Sequence, residues 1–576
     1  MEKSVLKKGI DVAAGRIPAD VVIQNCRIAD VYSGCFIEGS IAISDGLIAG
    51  IGAYEGRVVI DAKGQYALPG FIDSHIHIES AYVSPEELGR MLVPCGGTTI
   101  IADPHEIVNV CGLAGLKYMM DASKNTALDI RFMLPSCVPA TPFENAGAVI
   151  KAEDMEAVIG REEILGLGEF MDFPGVVYGT EDVLDKLLLA KAHRKLIDGH
   201  SPGVVGKDLN AYAFPLIHTD HECATAQDLQ ERISRGMYVM LRQGSACHDL
   251  RNLIKGVTPL NSRRCLLCSD DRQPKTILEL GHLDDHLRIC VEEGLDPMTA
   301  IRIASLNAAE CYGLKDRGAI APGLRADIVL VDDLQGFHVN QVFIKGELVA
   351  EDGKYLPPVH RHDDTPVRAS FHVKDFSAEK LRLKLSGDKV YVIDVIPDSV
   401  VTGKGTATVQ RNENGEFVYD PNADIVKIAV VERHTCTGNV ALGLLRGYGI
   451  RRGAVALSIA HDSHNIIVVG TNDADMAFAV ERLIAQGGGI VLAKEGAVLD
   501  CMPMPLGGIM SDQSGEWVME RLNTLHKEAH ATLEINPDIE PIMTLCFMSL
   551  AVIPELKLTD RGLFDVSRFA FIDIEA

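Results

Sequence analysis

The chain has 576 residues, with 55 Lys+Arg against 80 Asp+Glu and a net charge of −25. That balance excludes nucleic acid or an anionic membrane as the main partner, because both require basic surface. Apolar residues make up 47% of the chain, yet no apolar run reaches the about 18 residues of a spanning helix, so a soluble multidomain protein is expected.

Residues 1–65 read as short strands and turns. DVVIQNCRIAD, GSIAISDGLIAGIG and GRVVIDA alternate or run β-branched, with Gly and Asp between them. From residue 66 the texture changes: short apolar runs end in polar residues, and each leads into a stretch of helical period. The runs are YALPGFIDSHIH, TTIIADPH, DIRFMLPSC, EILGLGEF, KLIDGH, FPLIHTDH, MYVMLRQGS and RCLLCSDD, all within residues 66–271. Such alternation predicts a parallel sheet buried on both faces. Roughly eight units in about 250 residues is the size of a (β/α)8 TIM-type barrel, whose polar strand ends face the active site. A doubly wound sheet is the competing fold, but no G-x-G-x-x-G follows the first run.

Helical texture continues through residues 276–315, and residues 326–354 return to strands like those at the N-terminus. The two flanks are therefore expected to build one small β-sandwich domain beside the barrel. Residues 355–370 are rich in Pro and His and read as a linker. Beyond them VYVIDVIP, ADIVKIAVVER, GAVALSIAHD and NIIVVGT read as strands, and DADMAFAVERLIAQGGG as a helix with a glycine stop, giving a separate α/β (α+β) domain. The expected division is 1–65 for the first part of the β domain, 66–317 for the barrel, 318–365 for the return to the β domain and the linker, and 366–576 for the C-terminal domain. The N-terminus lacks the apolar core of a signal peptide, and the 14 cysteines form no disulfide-like framework, so reduced thiols and a cytoplasmic location are expected.

The chemistry concentrates at the strand ends. His75 and His77 form H-x-H after the first apolar run, and residues i and i+2 of a strand point to the same side. Glu169, His200, His221 and Asp270 each end a different run, and a barrel would gather all six side chains at one mouth. Imidazoles and carboxylates suit Mn2+, Fe2+ or Zn2+. Six ligands exceed one tetrahedral site and fit two ions roughly 3.5–4 Å apart, with Glu169 as the bridge. Two such ions acidify a shared water toward a pKa of about 7. Asp270 is placed to orient that water and carry its proton to a leaving group. His105 and Glu106 in DPHE are expected to contact substrate or a further ion, and Arg242 and Ser245 in LRQGS to hydrogen-bond a polar substrate. Glu222 and Asp271 adjoin ligands and can orient them. His221 is preferred over His218, which lies earlier in its strand, and His282 and His286 read as structural residues on a helix.

Two local patterns mislead. GHSPG matches the serine nucleophile elbow, but Pro202 has no N–H for the oxyanion hole. His77-Ile78-Glu79 matches H-x-E of the zinc nucleobase deaminases, but no P-C-x-x-C accompanies it. Near the C-terminus, ERH (432–434) and HDSHN (461–465) either line a cleft facing the barrel or form loops; the sequence weighs these equally.

PGFIDSHIHIES, the strand-end pattern and ADIVLV…VFIKGELVAEDGK resemble the metal-dependent amidohydrolase superfamily. HIHIES, DPHEI, GEFM, DGHSPG, TDHE and CSDD, with VVERH, AHDSHN and MPLGG in the C-terminal part, are similar to the bacterial adenine deaminases over essentially the whole chain. One departure is Ala81, where a second serine is expected. The resemblance implies hydrolysis of adenine to hypoxanthine and ammonia in purine salvage. It implies a binuclear centre of Mn2+ or Fe2+ held by His75, His77, Glu169, His200, His221 and Asp270. Asp270 would shuttle the proton and Glu106 assist at a ring nitrogen. Adenine and further copies of the chain are the expected partners. A cyclic-amide hydrolase of the same superfamily and a noncatalytic metal-binding protein are the rivals.

Overall fold

The computed structural model describes residues 2–397 and 399–576. Eight parallel strands carry the centre of the molecule: β1 (Phe71–Ile76), β2 (Gly97–Ala102), β3 (Asp129–Leu134), β4 (Ile164–Phe170), β5 (Leu196–Gly199), β6 (Thr219–Asp220), β7 (Tyr238–Arg242) and β8 (Cys265–Cys268). Strands β1–β5 form one sheet and β6–β8 another. Backbone hydrogen bonds join them at both seams. The His218 N–H donates to Ile197 O at 2.8 Å between β5 and β6, and the Asp270 N–H to His75 O at 2.9 Å beside β8 and β1. The unit is a TIM-barrel-like α/β domain. Its strands are apolar on both faces because both are covered. Ile72, Ile101, Met133, Met240 and Leu266 pack in one interior cluster with Ala308 and Tyr312, from the helix Leu306–Cys311 and the residue after it. The other strand faces pack in the main core with the surrounding helices.

The two flanks share one nine-stranded sheet. Strands within residues 19–69 pair with those within 328–355, and Tyr66–Pro69 joins the sets by pairing with Ala19–Asp30 on one side and Ile328–Val331 on the other. Tyr66–Pro69, which by sequence opens the first barrel run, belongs to the flanking sheet, and the barrel strand begins at Phe71. A second difference lies at the N-terminus. Lys3–Ala13, inside the expected strand region, is an α-helix. It has no alternating β-branched run, carries an i,i+4 pair from Lys7 to Asp11 at 2.6 Å, and buries Val12 against the sheet.

Residues 389–503 contribute an eight-stranded mixed sheet, and the helix Asp473–Ala485 packs on it. Gly487 and Gly488 follow that helix with φ of +81° and +108°, a conformation that ends helices and favours glycine. Leu556–Thr559, Gly562–Asp565 and Ala570–Phe571 form a small antiparallel sheet. One apolar core runs from the barrel into this C-terminal part, including Ile107, Val110, Leu506 and Ile509. Polar ties cross the same seam: Asn145 N–H donates to Asp560 Oδ1 at 2.9 Å, and Gly515 N–H to Glu87 Oε1 at 2.8 Å.

The ends of β5 and β6 are tied by a buried ion pair. Arg232 Nε donates to Asp220 Oδ2 at 3.0 Å, its Nη2 donates to Ser201 O at 2.7 Å, and Ser201 Oγ donates to Asp220. Burial would raise the Asp220 carboxyl, but the Arg232 charge holds it below the ordinary range. Arg232→Met leaves that carboxylate buried and unpaired, at an expected cost of about 3–5 kcal/mol. The expected outcome is a clear drop in the thermal midpoint of the barrel transition, read by calorimetry.

Candidate metal centre

Each expected ligand sits at or just beyond a strand's C-terminal end. His75 lies in β1 and His77 one residue past it; Glu169 lies in β4; His200 and His221 follow β5 and β6 directly; Asp270 is two residues past β8. The structure brings all six together. His75 Nε2 and His77 Nε2 are 3.1 Å apart, and His77 Nε2 is 3.1 Å from Asp270 Oδ1. Glu169 divides its carboxylate: Oε1 lies 3.3 Å from His77 Nε2, while Oε2 lies 2.8 Å from His200 Nδ1 and 3.2 Å from His221 Nε2. The His75 and His221 rings stack at 4.2 Å and link the two halves.

These residues fit divalent ions. His77 Nδ1 is 2.8 Å from Asp103 O, a carbonyl that can only accept, so Nδ1 carries a proton and Nε2, which faces Asp270 and Glu169, is the nitrogen left to ligate an ion. Asp270 and Glu169 are buried carboxylates. Burial would raise both, but for Glu169 the hydrogen bonds from His200, His221 and His77, and for Asp270 those from His75 and His77 with the charge of Arg242, hold them well below the carboxylate range. Burial and the charge of His221 push His75 down, which favours the neutral, ligating form. Five three-residue groups among the described residues bring donor atoms within reach of one ion, and three of them draw only on the six strand-end ligands with His105.

A second layer fixes these positions. Asp103 Oδ2 accepts from the Glu169 N–H at 2.8 Å, and a Cβ on Gly168 would meet that oxygen at 2.0 Å, so glycine is required there. Asp73 accepts from the His75 N–H at 3.2 Å and the Ser269 N–H at 3.1 Å, and pairs with His282 Nε2 at 2.7 Å. Asp270 itself has φ +55°, an uncommon conformation for a non-glycine residue, held by its backbone bonds to His75 and His77.

The other candidates divide. His105 Nδ1 lies 3.4 Å from Glu169 Oε1, at the rim of the ligand cluster. Arg242 reaches the site, but its guanidinium is engaged by carboxylates: Asp270 Oδ2 at 3.0 Å, Asp249 Oδ2 at 3.0 Å, and Glu222. It holds Asp270 in place. Ser245 is not brought to the cavity. Its Oγ lies 2.7 Å from Thr276 Oγ1 and accepts from the Gln273 N–H at 2.9 Å, because the chain turns away after β7. Glu106 lines the cavity, but its Oε1 lies 2.6 Å from His461 Nδ1 and its Oε2 3.4 Å from His464 Nε2. Its oxygens face imidazoles and not open space. Glu222 lies 3.5 Å from His221 Nε2, and Asp271 accepts from Ser80 Oγ. His218 faces Tyr238 away from the ligands, and His286 Nδ1 lies 2.6 Å from His282 O.

The ligands open into a cavity of about 640 Å3 walled partly by barrel loops, with Thr141, Met171, Phe173 and Cys247, and partly by the C-terminal part, with Val400, His461, Asp462, Phe547, Ile553 and Phe569. Of the two C-terminal polar clusters, HDSHN contributes His461 and Asp462 to this cavity, while ERH (432–434) lies outside its lining. Phe547 and Phe569 carried no sequence signal, since an isolated phenylalanine in a chain of ordinary composition looks like core.

A divided carboxylate between two imidazole pairs at the mouth of a parallel barrel is the constellation of a metal-dependent hydrolase. Residues 66–349 match the amidohydrolase family, and residues 399–570 match the adenine deaminase C-terminal domain. The chain is 64% identical to "Adenine deaminase 2" of Desulfotalea psychrophila over the full length of both. It is 51% identical to "Adenine deaminase" of Nitratidesulfovibrio vulgaris over 99% of each chain, and 51% identical to "Adenine deaminase" of Ligilactobacillus salivarius over all of both. The chain belongs to the adenine deaminase family.

Glu169→Gln removes the charge shared by both halves, and the purified variant is expected to lose most of its bound metal by elemental analysis. The metal-free protein also has a defined proton balance. Burial lowers His221, but its hydrogen bond with Glu169 outweighs this and brings it to about 9. At pH 7 that imidazole is protonated and must lose its proton to bind an ion. Metal uptake at pH 7 should therefore release protons, and affinity should rise with pH toward 9; calorimetry in buffers of different ionisation enthalpy measures the release.

Proposed function

We propose that the protein hydrolyses adenine to hypoxanthine and ammonia, as a purine-salvage step. The observation that carries this is the divided carboxylate of Glu169 in a cavity closed by the domain that matches the adenine deaminase C-terminal family. The names of the full-length relatives support it.

In this reading His75, His77 and Asp270 would hold one divalent ion and His200 and His221 the other, with Glu169 available to both; Mn2+ or Fe2+ is the proposed identity, with Zn2+ also compatible with the ligand types. When bound, the ions supply Lewis acidity that activates water at neutral pH. The chain does the rest. Asp270 accepts the first proton of the attacking water and returns it to the departing amino group. The guanidinium of Arg242 at 3.0 Å keeps Asp270 oriented and ionised. The predominantly apolar C-terminal wall excludes bulk water and strengthens these interactions. His105, 3.4 Å from Glu169, stands where the substrate meets the centre.

The proposed architecture is a complete (β/α)8 barrel with a β-sandwich-type flanking domain and a C-terminal unit of its own; the seam hydrogen bonds and the shared nine-stranded sheet support it. A cytoplasmic location is proposed on the 14 free cysteines. A homo-oligomer is proposed on the exposed Tyr178, Leu188, Phe214 and Leu216 of the barrel's outer helices and loops. No helix among the described residues is long and apolar enough to cross a membrane.

Metal-loaded protein should release ammonia from adenine with loss of adenine absorbance. Turnover of a hydantoin or dihydropyrimidine and not adenine would favour the cyclic-amide hydrolase, and bound metal with no hydrolysis the noncatalytic protein. Asp270→Asn should keep much of the metal and lose about 10²–10⁴-fold in kcat, the usual contribution of a positioned acid–base group.

A further inference from the structure

Adenine hydrolysis makes two proton demands. The amino group must leave as ammonia, and N1, beside C6, gathers charge as C6 is attacked. Asp270 answers the first. Glu106, expected at the ring nitrogen, does not present a free oxygen to the cavity, since its Oε1 meets His461 and its Oε2 faces His464. We propose that His461, contributed by the C-terminal part, is the acid that protonates N1, and that Glu106 is its positioning residue. This rests on the adenine reading above.

The hydrogen bonds fix the arrangement. Glu106 Oε1 lies 2.6 Å from His461 Nδ1; an ionised carboxylate only accepts, so Nδ1 donates. That leaves Nε2 as the working nitrogen of a ring that lines the cavity, and no described residue hydrogen-bonds it. Phe547 stacks on the ring at 4.7 Å and 18°, and the His461 N–H donates to Cys546 O at 2.9 Å, so the imidazole is locked in place. Glu106, His461 and His464 also have the composition of an ion site, but the tautomer argues against one. His464 Nδ1 accepts from the Ala460 N–H at 3.2 Å, which puts the proton on Nε2, the nitrogen that faces Glu106. An N–H cannot ligate an ion. The cluster is a carboxylate set between two imidazoles, in close contact with His461 Nδ1 at 2.6 Å and facing His464 Nε2 at 3.4 Å.

The charges around His461 suit an acid. Burial lowers it, but the charge and hydrogen bond of Glu106, then Asp271 and Asp462, outweigh this and bring it to about 9. His464, the thiol of Cys546, the phenol of Tyr82 and the carboxyl of Glu79, which burial and the Glu106 charge raise to about 7, are the other titratable groups near this cluster. The step balances. Water oxygen bonds to C6 and its first proton goes to Asp270, while His461 Nε2–H gives its proton to N1, where it stays in hypoxanthine. Asp270 then protonates the amino nitrogen, the C6–N bond breaks, and ammonia leaves. The second water proton passes through Asp270 to solvent, and solvent reprotonates His461.

His461→Asn tests the assignment, because the Asn amide nitrogen replaces Nδ1 and keeps the bond to Glu106 while removing Nε2. The expected result is wild-type metal content and thermal midpoint, a kcat lower by about 10²–10⁴-fold, and a KM changed far less. Glu106→Gln provides the second arm: loss of its charge should move the alkaline limb of the kcat profile toward acid pH and lower kcat less than His461→Asn does. Near wild-type kcat in His461→Asn, metal loss in step with activity, or an unmoved alkaline limb in Glu106→Gln would overturn the proposal. The wild-type rate on adenine judges the functional reading separately.

Discussion

Glu169 meets two pairs of imidazoles with one carboxylate, and much of the molecule is arranged so that it can. A buried carboxylate among four histidines is costly unless cations or donated protons compensate it. Its position is set by the backbone: the Glu169 N–H is held by Asp103, and Gly168 makes room for that oxygen. Asp103 also fixes His77 through its carbonyl, so one residue after β2 places ligands from β1 and β4. Asp73 and the Asp220–Arg232 pair do the same for the ends of β1 and β8 and of β5 and β6. The centre is thus a property of strand ends locked to one another, and not of any single loop.

The C-terminal part changes what that centre faces. A barrel mouth alone would open to water. Here Phe547, Ile553 and Phe569 cover it with apolar surface, and His461 and Asp462 add polar groups. Asp462 Oδ1 lies 3.6 Å from His105 Nε2, so a barrel histidine and a C-terminal carboxylate meet within the same cavity. The seam is packed as continuous core, with Ile107 against Gly507, where any side chain would clash at 2.4 Å. Such a wall is rigid enough to hold an imidazole in position.

Much of this was legible from residue order. The eight apolar runs coincide with the eight parallel strands because a strand buried on both faces must be apolar throughout and can turn polar only where it ends. The six ligands follow from the same rule. Ser245 failed it: the residue lies three past β7, far enough for the chain to turn and for its hydroxyl to bond Thr276. Tyr66–Pro69 failed for another reason, since an apolar strand reads alike whether its partners lie in a barrel or in a flanking sheet. The helix Lys3–Ala13 leaves little pattern in the sequence, because Val12 is its one buried side chain.

The apolar periodicity determined an α/β chain with its polar chemistry at strand ends, because local period is a property of the sequence itself. Tertiary structure alone decided that Arg242 serves Asp270, that Glu106 stands behind His461, and that the HDSHN turn puts His461 and Asp462 into the cavity wall. Those contacts join residues 28, 355 and more than 300 positions apart. Over such separations, only the closure of the barrel and the packing of the C-terminal part determine which groups meet.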